Sequence, residues 1–435
     1  MQPQPRTDPV LQPARPYPFR AVWAAFAVAL VFHVALVLAL RHFDHPVTWE
    51  NGDIAEHMLR GDGYCIDFAG PNAPTAWQAP GYPFELYFFE RAFGVRPLTF
   101  LLISLLQCVA VSAMVFPVAW LARRWFGTRA AVVSAWVVAF MPLYAWYCTR
   151  IHQPANVMAI YPWVLAGWFH TVESRKGWVA IGAGLLTGLG AMFSPTMLAV
   201  FGIVSLVLLV RAALRSEWAA ARTVLIAGVC TLLAITPWTV RNYRVFGRII
   251  PIKDSFPKEL WYGNNPNSTG TPFVAGGEAA IGLPPEVAKY YGKLTETQMM
   301  DVIAKKTFAY IESDKPAFVA RTFKKIVWLW TAVPRSLLRT TGDSEAVKYY
   351  WLHTGYWFLF LIGFFAALAM GMLRQFEVAL SFITVILIYS AVYGLTIVGN
   401  ARFRAEIEFL FVPVFAAACV AGFELLSRKQ GKPGS

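Results

Sequence analysis

The chain has 435 residues, of which 57% are hydrophobic, 15% are aromatic and only 14% are charged. Because a soluble domain carries about 25% charged residues, this composition excludes an ordinary soluble protein and predicts a polytopic membrane protein. The formal net charge is +13, but the basic residues are scattered over many loops without a stripe or a binding motif. Because the basic residues are scattered, nucleic acid is not the expected partner. The positive charge instead favours membrane lipids with anionic headgroups.

Apolar runs close to the length of a membrane span divide the chain. A helix of about 20 residues can cross the hydrocarbon core of a bilayer, and the chain has about ten such runs. They cover residues 20–40, 98–120, 129–147, 154–171, 177–193, 195–211, 222–240, 351–372, 376–397 and 407–426. The predicted fold is therefore an all-α polytopic membrane protein with about ten transmembrane helices.

Lysine and arginine in the short loops predict the orientation. Basic connections such as ARRWFGTR and ESRK alternate with connections that are not basic. Because cytoplasmic loops carry the excess of lysine and arginine, both termini are predicted to be cytoplasmic. The predicted organisation is a disordered cytoplasmic N-terminus (1–19), seven spans that enclose the first external loop at 41–97 (20–240), a small, mostly helical external domain (241–350), three spans (351–426) and a cytoplasmic tail (427–435).

The first external loop opens on WENGDIAEHM, which places three carboxylates just after an apolar run. On an α-helix Glu50, Asp53 and His57 share one face, because they are spaced at i, i+3 and i+7. Glu56 turns off that face and is predicted to be solvated, while His57 is predicted to be a surface residue. A second amphipathic helix is predicted from about Pro83 to Phe93. The two helices would hold a carboxylate near the bilayer boundary.

The predicted external domain shows helical periodicity in LTETQMMDVIAKKTFAYIESD and PAFVARTFKKIVWLW. It contains neither a nucleotide-binding loop nor a nucleophile elbow, so it is predicted to shape acceptor binding rather than to perform chemistry. The five cysteines of the chain show no metal-ligand spacing. Cys65 and Cys148 both fall on the predicted outside, and a disulfide between them is an open alternative.

Three passages in a fixed order carry a resemblance to a known family. They are the first loop with GDGY and PTAWQAPGYP, the junction TPWTVRNYRVFGRIIPIKDSFPKELWYGNNPNSTG from Thr236, and NARFRAEIEFLFVPVFAAA from Asn400. Together they resemble the bacterial membrane glycosyltransferases of the family thirty-nine type. These belong to the GT-C class, which includes the dolichyl-phosphate-mannose protein mannosyltransferases and the lipid A aminoarabinose transferase.

The resemblance implies a donor, a location and an acidic residue. Members of the family use a polyprenyl-phosphate sugar and place a carboxylate of the first external loop at the reaction centre. Glu50 matches that position best, although many relatives have aspartate there, so Asp53 stays an alternative. The location implied is a bacterial inner (plasma) membrane, with the active site on the periplasmic side.

Sugar transfer with inversion needs a base for the acceptor's proton and a cation for the departing phosphate. Glu50 and Asp53 are the catalytic candidates. For the phosphate we predict Arg404 first and Arg402 second, because guanidinium binds phosphate oxygens bidentately and keeps its charge. Further candidates for the phosphate are Arg241 and Arg244. The alternative for all of these groups is a solvated helix face or the anchoring of a span end.

Four further residues are candidates for the substrate cavity: Trp77, Tyr82, Arg150 and His152. No cofactor and no metal site are predicted. A divalent metal at Glu50, Asp53 and His57 stays open, but this helix alone supplies fewer oxygen ligands than such sites normally use.

The predicted function is therefore an inverting hexosyl- or pentosyltransferase of the cell envelope. It would move a sugar from a polyprenyl-phosphate donor to a lipid, polysaccharide or protein acceptor on the external face of the membrane. Two alternatives remain. One is a lipid or polysaccharide transporter or flippase, although no internal repeat of the kind common in transporters is visible. The other is a non-catalytic envelope-assembly protein, which would tolerate loss of the carboxylates in the first loop.

Overall fold

The computed structural model describes residues 17–268, 270, 283–284, 286–332, 344–396 and 401–430. Most of the N-terminal stretch predicted to be disordered, and the end of the predicted cytoplasmic tail, lie outside these residues.

Every apolar run predicted as a span is helical over most of its described residues. The helices of the first half are α1 (Phe19–Leu40), α2 (Trp49–Arg60), α3 (Gly81–Phe93), α4 (Pro97–Ser112), α5 (Val115–Phe126), α6 (Thr128–Ala139), α7 (Pro142–Cys148), α8 (Pro154–Ser174), α9 (Gly177–Phe193), α10 (Thr196–Leu214) and α11 (Trp218–Phe246). Those of the second half are α12 (Phe256–Gly263), α13 (Glu296–Ser313), α14 (Lys315–Trp330), α15 (Ser344–Ala369), α16 (Phe376–Leu395), α17 (Ala401–Ala405) and α18 (Phe411–Gln430).

Among the described residues, seven helical segments are long and apolar enough to cross a membrane. They are Phe19–Leu40, Pro97–Phe126, Thr196–Leu214, Trp218–Phe246, Trp351–Ala369, Phe376–Leu395 and Glu408–Ser427. The pair α6 and α7, bent by 44°, makes an eighth if it is counted as one span. The other two predicted runs are α8 and the shorter α9. The all-α polytopic membrane fold is confirmed, with seven or eight spans by these criteria where about ten were predicted.

The first loop, residues 41–97, contains both predicted amphipathic helices, α2 and α3. Gly61 ends α2 in the left-handed conformation, with φ at 91°, which a glycine adopts without steric cost. A two-stranded antiparallel hairpin follows, in which β1 (Cys65–Ile66) pairs with β2 (Ala73–Pro74). At the start of α3, a Cβ on Gly81 would lie 2.8 Å from the Phe193 ring. The missing side chain therefore lets α3 pack closely on the end of α9.

The large loop, residues 247–343, contains α12, α13 and α14. Thr295 caps α13 in a reciprocal capping box with Gln298, and the Asp314 side chain caps α14 by accepting from the Ala317 N–H group. These caps satisfy backbone donors that the first turn of each helix leaves free. The helical periodicity predicted for this region is confirmed.

Lys325 of α14 links the large loop to the helix bundle through hydrogen bonds. Its buried ammonium group donates to the backbone oxygens of Gly263, Leu395 and Thr396 and to the Asn264 side chain at 2.7–3.3 Å. The end of α12 and the end of α16 are thereby joined through one side chain.

Replacing Lys325 by methionine is expected to destabilise the protein by about 3 kcal/mol, because several buried oxygen atoms would lose their donor at once. The measurement is chemical or thermal unfolding in detergent, compared with a Lys324→Met control on the exposed side of the same helix. Equal stability of the two variants would contradict this role for Lys325.

The opposite end of the bundle carries ion pairs between helix ends. Arg124 contacts Glu173 and Glu377 at 2.7 Å each, Arg175 contacts Glu217 at 3.3 Å, and Arg129 contacts Glu424 at 2.5 Å. The two loops and these ion pairs therefore occupy opposite ends of the bundle.

Candidate functional site

The carboxylates of α2 have different surroundings. Glu50 is half-buried and lies within electrostatic range of Lys258 and Tyr262 in the large loop. Asp53 is exposed, and its pKa is raised by partial burial and then by the negative charges of Glu50 and Glu56. Glu56 is exposed and pairs with Arg60 at 3.1 Å. The helix thus directs Glu50 toward the large loop.

His57 was predicted to be a surface residue, and this prediction is wrong. Its side chain is buried, with Nδ1 at 3.2 Å from Asp62 and Nε2 at 3.6 Å from Asp67. The reason is tertiary: the chain turns back after Gly61, so that the hairpin covers the end of α2. His57 therefore ties α2 to the following turn.

Lys258 of α12 lies within electrostatic range of Glu50 and was not predicted as a site residue from the sequence. Its side chain is buried, with only 3% of its surface exposed, and Nζ lies 3.5 Å from the centroid of the Trp77 ring. The Glu259 carboxylate lies 3.6 Å away, and Nζ has no hydrogen-bond acceptor among the described residues. Burial lowers the pKa of Lys258, while Glu259 and Glu50 act in the opposite direction. The ammonium group is thus held in place with its donors available.

The segment Thr75–Trp77 holds the aromatic partner of Lys258. Glu296 accepts hydrogen bonds from the Thr75 hydroxyl at 2.5 Å and the Ala76 N–H group at 2.6 Å. The Ala76 carbonyl accepts from the Asp254 N–H group at 2.9 Å. These bonds join the first loop to the large loop and fix the backbone beside Trp77, which was predicted to line the substrate cavity.

Glu296 is buried, and this burial raises its pKa to about 7. Because the pKa of the Glu296 carboxyl group is lower in the unfolded chain, the folded state binds the proton of this group more tightly. The bound proton stabilises the folded state by its full amount below pH about 4.5. This stabilisation is lost as the pH rises through 7. The stability of the wild type relative to Glu296→Gln is therefore expected to fall by up to about 3 kcal/mol between pH 5 and 8. Unfolding of both proteins across this range tests the sign, and a pH-independent difference would contradict it.

Two of the predicted phosphate ligands lie on α11. Arg241 donates to the Thr75 carbonyl at 2.6 Å and to the Tyr64 carbonyl at 2.9 Å, and its guanidinium group lies over the Trp238 ring. These contacts make Arg241 a support for the first loop. Arg244 is exposed on the same helix. The structure brings neither guanidinium group to Glu50.

The two arginines of α17 have different environments. Arg404, the first choice for the donor phosphate, is 3% exposed, and its donors bind Glu408 at 2.8 Å and the Leu329 carbonyl at 2.9 Å. Its guanidinium group also lies over the Trp357 ring. Arg402 is half-buried, within electrostatic range of His152 and Glu406. This placement favours Arg402 over Arg404 as the phosphate ligand, which stays a prediction.

Of the remaining cavity candidates, His152 lies nearest to α2. Its ring centroid is 4.5 Å from that of Trp49, and burial followed by the positive charge of Arg402 lowers its pKa. Arg150 lies over the Trp146 ring. Tyr82 is fully buried and accepts a hydrogen bond from Gln107 at 3.2 Å, so it belongs to the bundle core and not to this cluster.

Two further carboxylates beside this region were not singled out as site residues from the sequence. Glu406 accepts hydrogen bonds from Tyr389 at 2.7 Å and Ser194 at 3.3 Å, and burial raises its pKa to about 7. Glu85 of α3 is half-buried and accepts a hydrogen bond from Asn156, and desolvation raises its pKa to about 7. A signal was present for Glu85, since it is an acidic residue inside an otherwise apolar stretch.

The structure also bears on the metal and disulfide alternatives. Among the described residues, no three side chains of histidine, cysteine, aspartate or glutamate cluster in a way that could hold a metal ion. Cys65 and Cys148 are both free thiols. The open alternative of a disulfide between them is therefore not realised in this structure.

Residues 78–240 match the family model described as dolichyl-phosphate-mannose-protein mannosyltransferase. Two solved structures of an oligosaccharyltransferase from Archaeoglobus fulgidus share the fold. The complex of AglB with an inhibitory peptide and a dolichol-phosphate has a TM-score of 0.54 at 12% identity, and the apo form has 0.53 at 13%. Both alignments cover 95% of this chain and 52% of the other. The chain thus spans about half the length of these relatives.

ArnT from Cupriavidus metallidurans bound to undecaprenyl phosphate is also similar, with a TM-score of 0.43, 15% identity, and coverage of 96% of this chain and 81% of the other. No curated protein matches the chain in sequence. The predicted resemblance is confirmed: the chain is a multi-pass membrane protein of GT-C-like fold, and its residues 78–240 match the model of the protein mannosyltransferases.

Proposed function

We propose that the protein is an inverting glycosyltransferase that uses a polyprenyl-phosphate sugar as donor. The observation that carries this proposal is the half-buried Glu50 within electrostatic range of the buried ammonium group of Lys258, which has no hydrogen-bond acceptor among the described residues. One carboxylate and one cation, held by two separate loops at one end of the bundle, are the two charges that this reaction requires.

Glu50 is the base in this mechanism. Its carboxylate takes the proton of the acceptor hydroxyl while the hydroxyl oxygen attacks the anomeric carbon of the donor sugar. The bond between that carbon and the phosphate oxygen breaks, and its electron pair leaves with the lipid phosphate. The sugar configuration inverts because attack and departure occur on opposite faces of the ring. Asp53, on the exposed side of α2, is the alternative base.

Lys258 stabilises the departing phosphate in this mechanism. Its ammonium group has donors that no described acceptor occupies, and desolvation strengthens its interaction with a developing negative charge. Arg402 is the second cation, since it lies near His152, which packs on Trp49 beside Glu50. The two cations would contact the phosphate from different loops.

The lipid carrier is supported by the comparisons. The matched family model is named for a dolichyl-phosphate sugar, and the AglB structure contains a dolichol-phosphate. A lipid-linked donor also suits a site at one end of a membrane-spanning bundle. The hexosyl or pentosyl identity of the sugar, the location in a bacterial inner membrane and the external position of the site remain part of the proposal.

A lipid-linked sugar analysis tests the proposal. A strain that lacks the protein is expected to accumulate a polyprenyl-phosphate sugar, and the wild-type gene is expected to restore the normal pool. A Glu50→Gln gene, expressed and inserted to the same level, is expected to leave the pool raised. Restoration by Glu50→Gln would favour an assembly protein, and an unchanged pool in the deletion strain would overturn the glycosyltransferase proposal.

A further inference from the structure

A cavity of about 440 Å³ lies at the end of the bundle opposite to Glu50 and Lys258. The ends of α5, α8, α10 and α16 surround it, with Arg124, Arg211, Arg215, Glu217, Phe376 and Glu377 among its walls. The 19 residues of α10 separate the two ends, which is roughly 28 Å along the helix axis. The cavity is therefore distinct from the proposed reaction centre.

The carboxylates that line this cavity are paired with other arginines, so that two of the arginines in its wall have no carboxylate partner among the described residues. Glu377 is engaged by Arg124 through two hydrogen bonds, at 2.7 and 2.8 Å, and Glu217 is paired with Arg175 at 3.3 Å. Arg211 and Arg215 have no carboxylate partner among the described residues. Both carboxylates are thus neutralised, and the cavity keeps a local positive charge.

Arg211 is held in place for a ligand. Its guanidinium carbon lies 3.7 Å from the centroid of the Phe376 ring, which restricts the side chain and leaves the edge of the guanidinium plane, where the N–H groups point, free to donate. Arg215 caps the C-terminal end of the same helix, four residues later, and is exposed. Two guanidinium groups in the wall of one cavity can both donate to the oxygen atoms of a phosphate.

The surroundings select the source of the phosphate. Leu214 is 82% exposed and Trp218 is 69% exposed on either side of the Arg215 position, and Leu208 lines the cavity wall. Large apolar side chains next to arginine at the end of a membrane-spanning helix are typical of the boundary between headgroups and acyl chains. A lipid can fill both the charged and the apolar parts of this surface, whereas a soluble anion fills only the first.

We propose that this cavity binds the phosphate headgroup of an anionic phospholipid, with Arg211 and Arg215 as its ligands and Leu208, Leu214 and Trp218 in contact with its apolar part. The site is separate from the donor-binding site and does not depend on the proposed function. It gives the positive charge of this end of the bundle a specific partner.

The test uses the purified full-length protein in a neutral detergent, titrated with phosphatidylglycerol while thermal unfolding or intrinsic tryptophan fluorescence is followed. Arg215→Gln and the double variant Arg211→Gln/Arg215→Gln are compared with Arg222→Gln. Arg222 is the matched control, because it is an exposed arginine one turn into α11 at the same end of the bundle but outside the cavity. Phosphatidylcholine and inorganic phosphate are titrated in parallel.

Saturable binding of phosphatidylglycerol is expected. We expect Arg215→Gln to weaken it about tenfold and the double variant to weaken it further, because each change removes charge-assisted hydrogen bonds to phosphate. Arg222→Gln should leave the affinity unchanged. Equal weakening by Arg222→Gln would show diffuse attraction to a charged surface and overturn the site. Equal affinity for inorganic phosphate would overturn the assignment to a lipid, and so would equal affinity for phosphatidylcholine.

Discussion

Glu50→Gln is expected to lower the rate of sugar transfer by about 10²- to 10⁴-fold, the usual contribution of a general base. Glutamine keeps the size of the side chain but cannot take the acceptor's proton. Because Glu50 is half-buried and no described hydrogen bond depends on it, the variant should fold and insert normally. Transfer from a polyprenyl-phosphate sugar, measured with purified protein, provides the rate, and thermal unfolding provides the check on folding.

Two companion variants make the result specific to Glu50. Glu56→Gln removes a carboxylate from the same helix that is exposed and paired with Arg60, so it should leave the rate unchanged. Asp53→Asn tests the alternative base. A large loss in Asp53→Asn with normal activity in Glu50→Gln would transfer the catalytic role to Asp53. A rate unaffected by either change would remove the first loop from the chemistry.

Lys258→Met is expected to lower the rate of transfer by about 10²- to 10³-fold, as removal of a preorganised charge-stabilising donor does. The same substitution should leave the free energy of unfolding unchanged or increase it. Burial lowers the pKa of this lysine, which means that the buried charge destabilises the fold in the absence of ligand. Methionine fills a similar volume against Trp77 without that charge. Loss of activity with preserved or increased stability therefore identifies a functional lysine.

The contrast with Lys325 sharpens this experiment. Both lysines are buried in the large loop, but Lys325 donates to several protein oxygen atoms, whereas Lys258 has no such acceptors among the described residues. Lys325→Met should therefore lose stability, and Lys258→Met should lose activity alone. If Lys258→Met unfolds at the same lower temperature as Lys325→Met, Lys258 is a structural residue and Arg402 becomes the main candidate cation.

The helices of the fold were predictable because each one is a long local pattern. Apolar runs, a glycine after α2 and the capping sequence Thr295–Gln298 act over one or two turns, so they can be recognised without tertiary contacts. The number of spans was less predictable. The runs that became α8 and α9 are helical in the structure but do not meet the criteria of length and hydropathy.

Of the candidate site, only the part that lies in one continuous segment of the sequence, the acidic helix with Glu50, was predictable. Glu50 stands out because three carboxylates follow directly after an apolar run. Lys258 could not be distinguished in the same way, since its burial against Trp77 requires the large loop to fold onto the first loop. The two arginines in ARFRAEIEF look equivalent in the sequence, and the structure distinguishes them because Arg404 is buried and donates to Glu408 and to the carbonyl of Leu329.

Three properties could be read from the amino-acid sequence alone: the all-α membrane fold, the acidic amphipathic helix after the first span, and the resemblance to the GT-C class. These properties depend on composition, on the period of apolar residues and on local motifs. Such patterns specify the same helices however the helices pack against one another. Which charged side chains come near one another depends on the packing of the two loops. Glu50 and Lys258 are separated by some two hundred residues. They come within electrostatic range of each other because Glu296, Asp254 and Arg241 bind the segment around Thr75 and Ala76 and hold the two loops together.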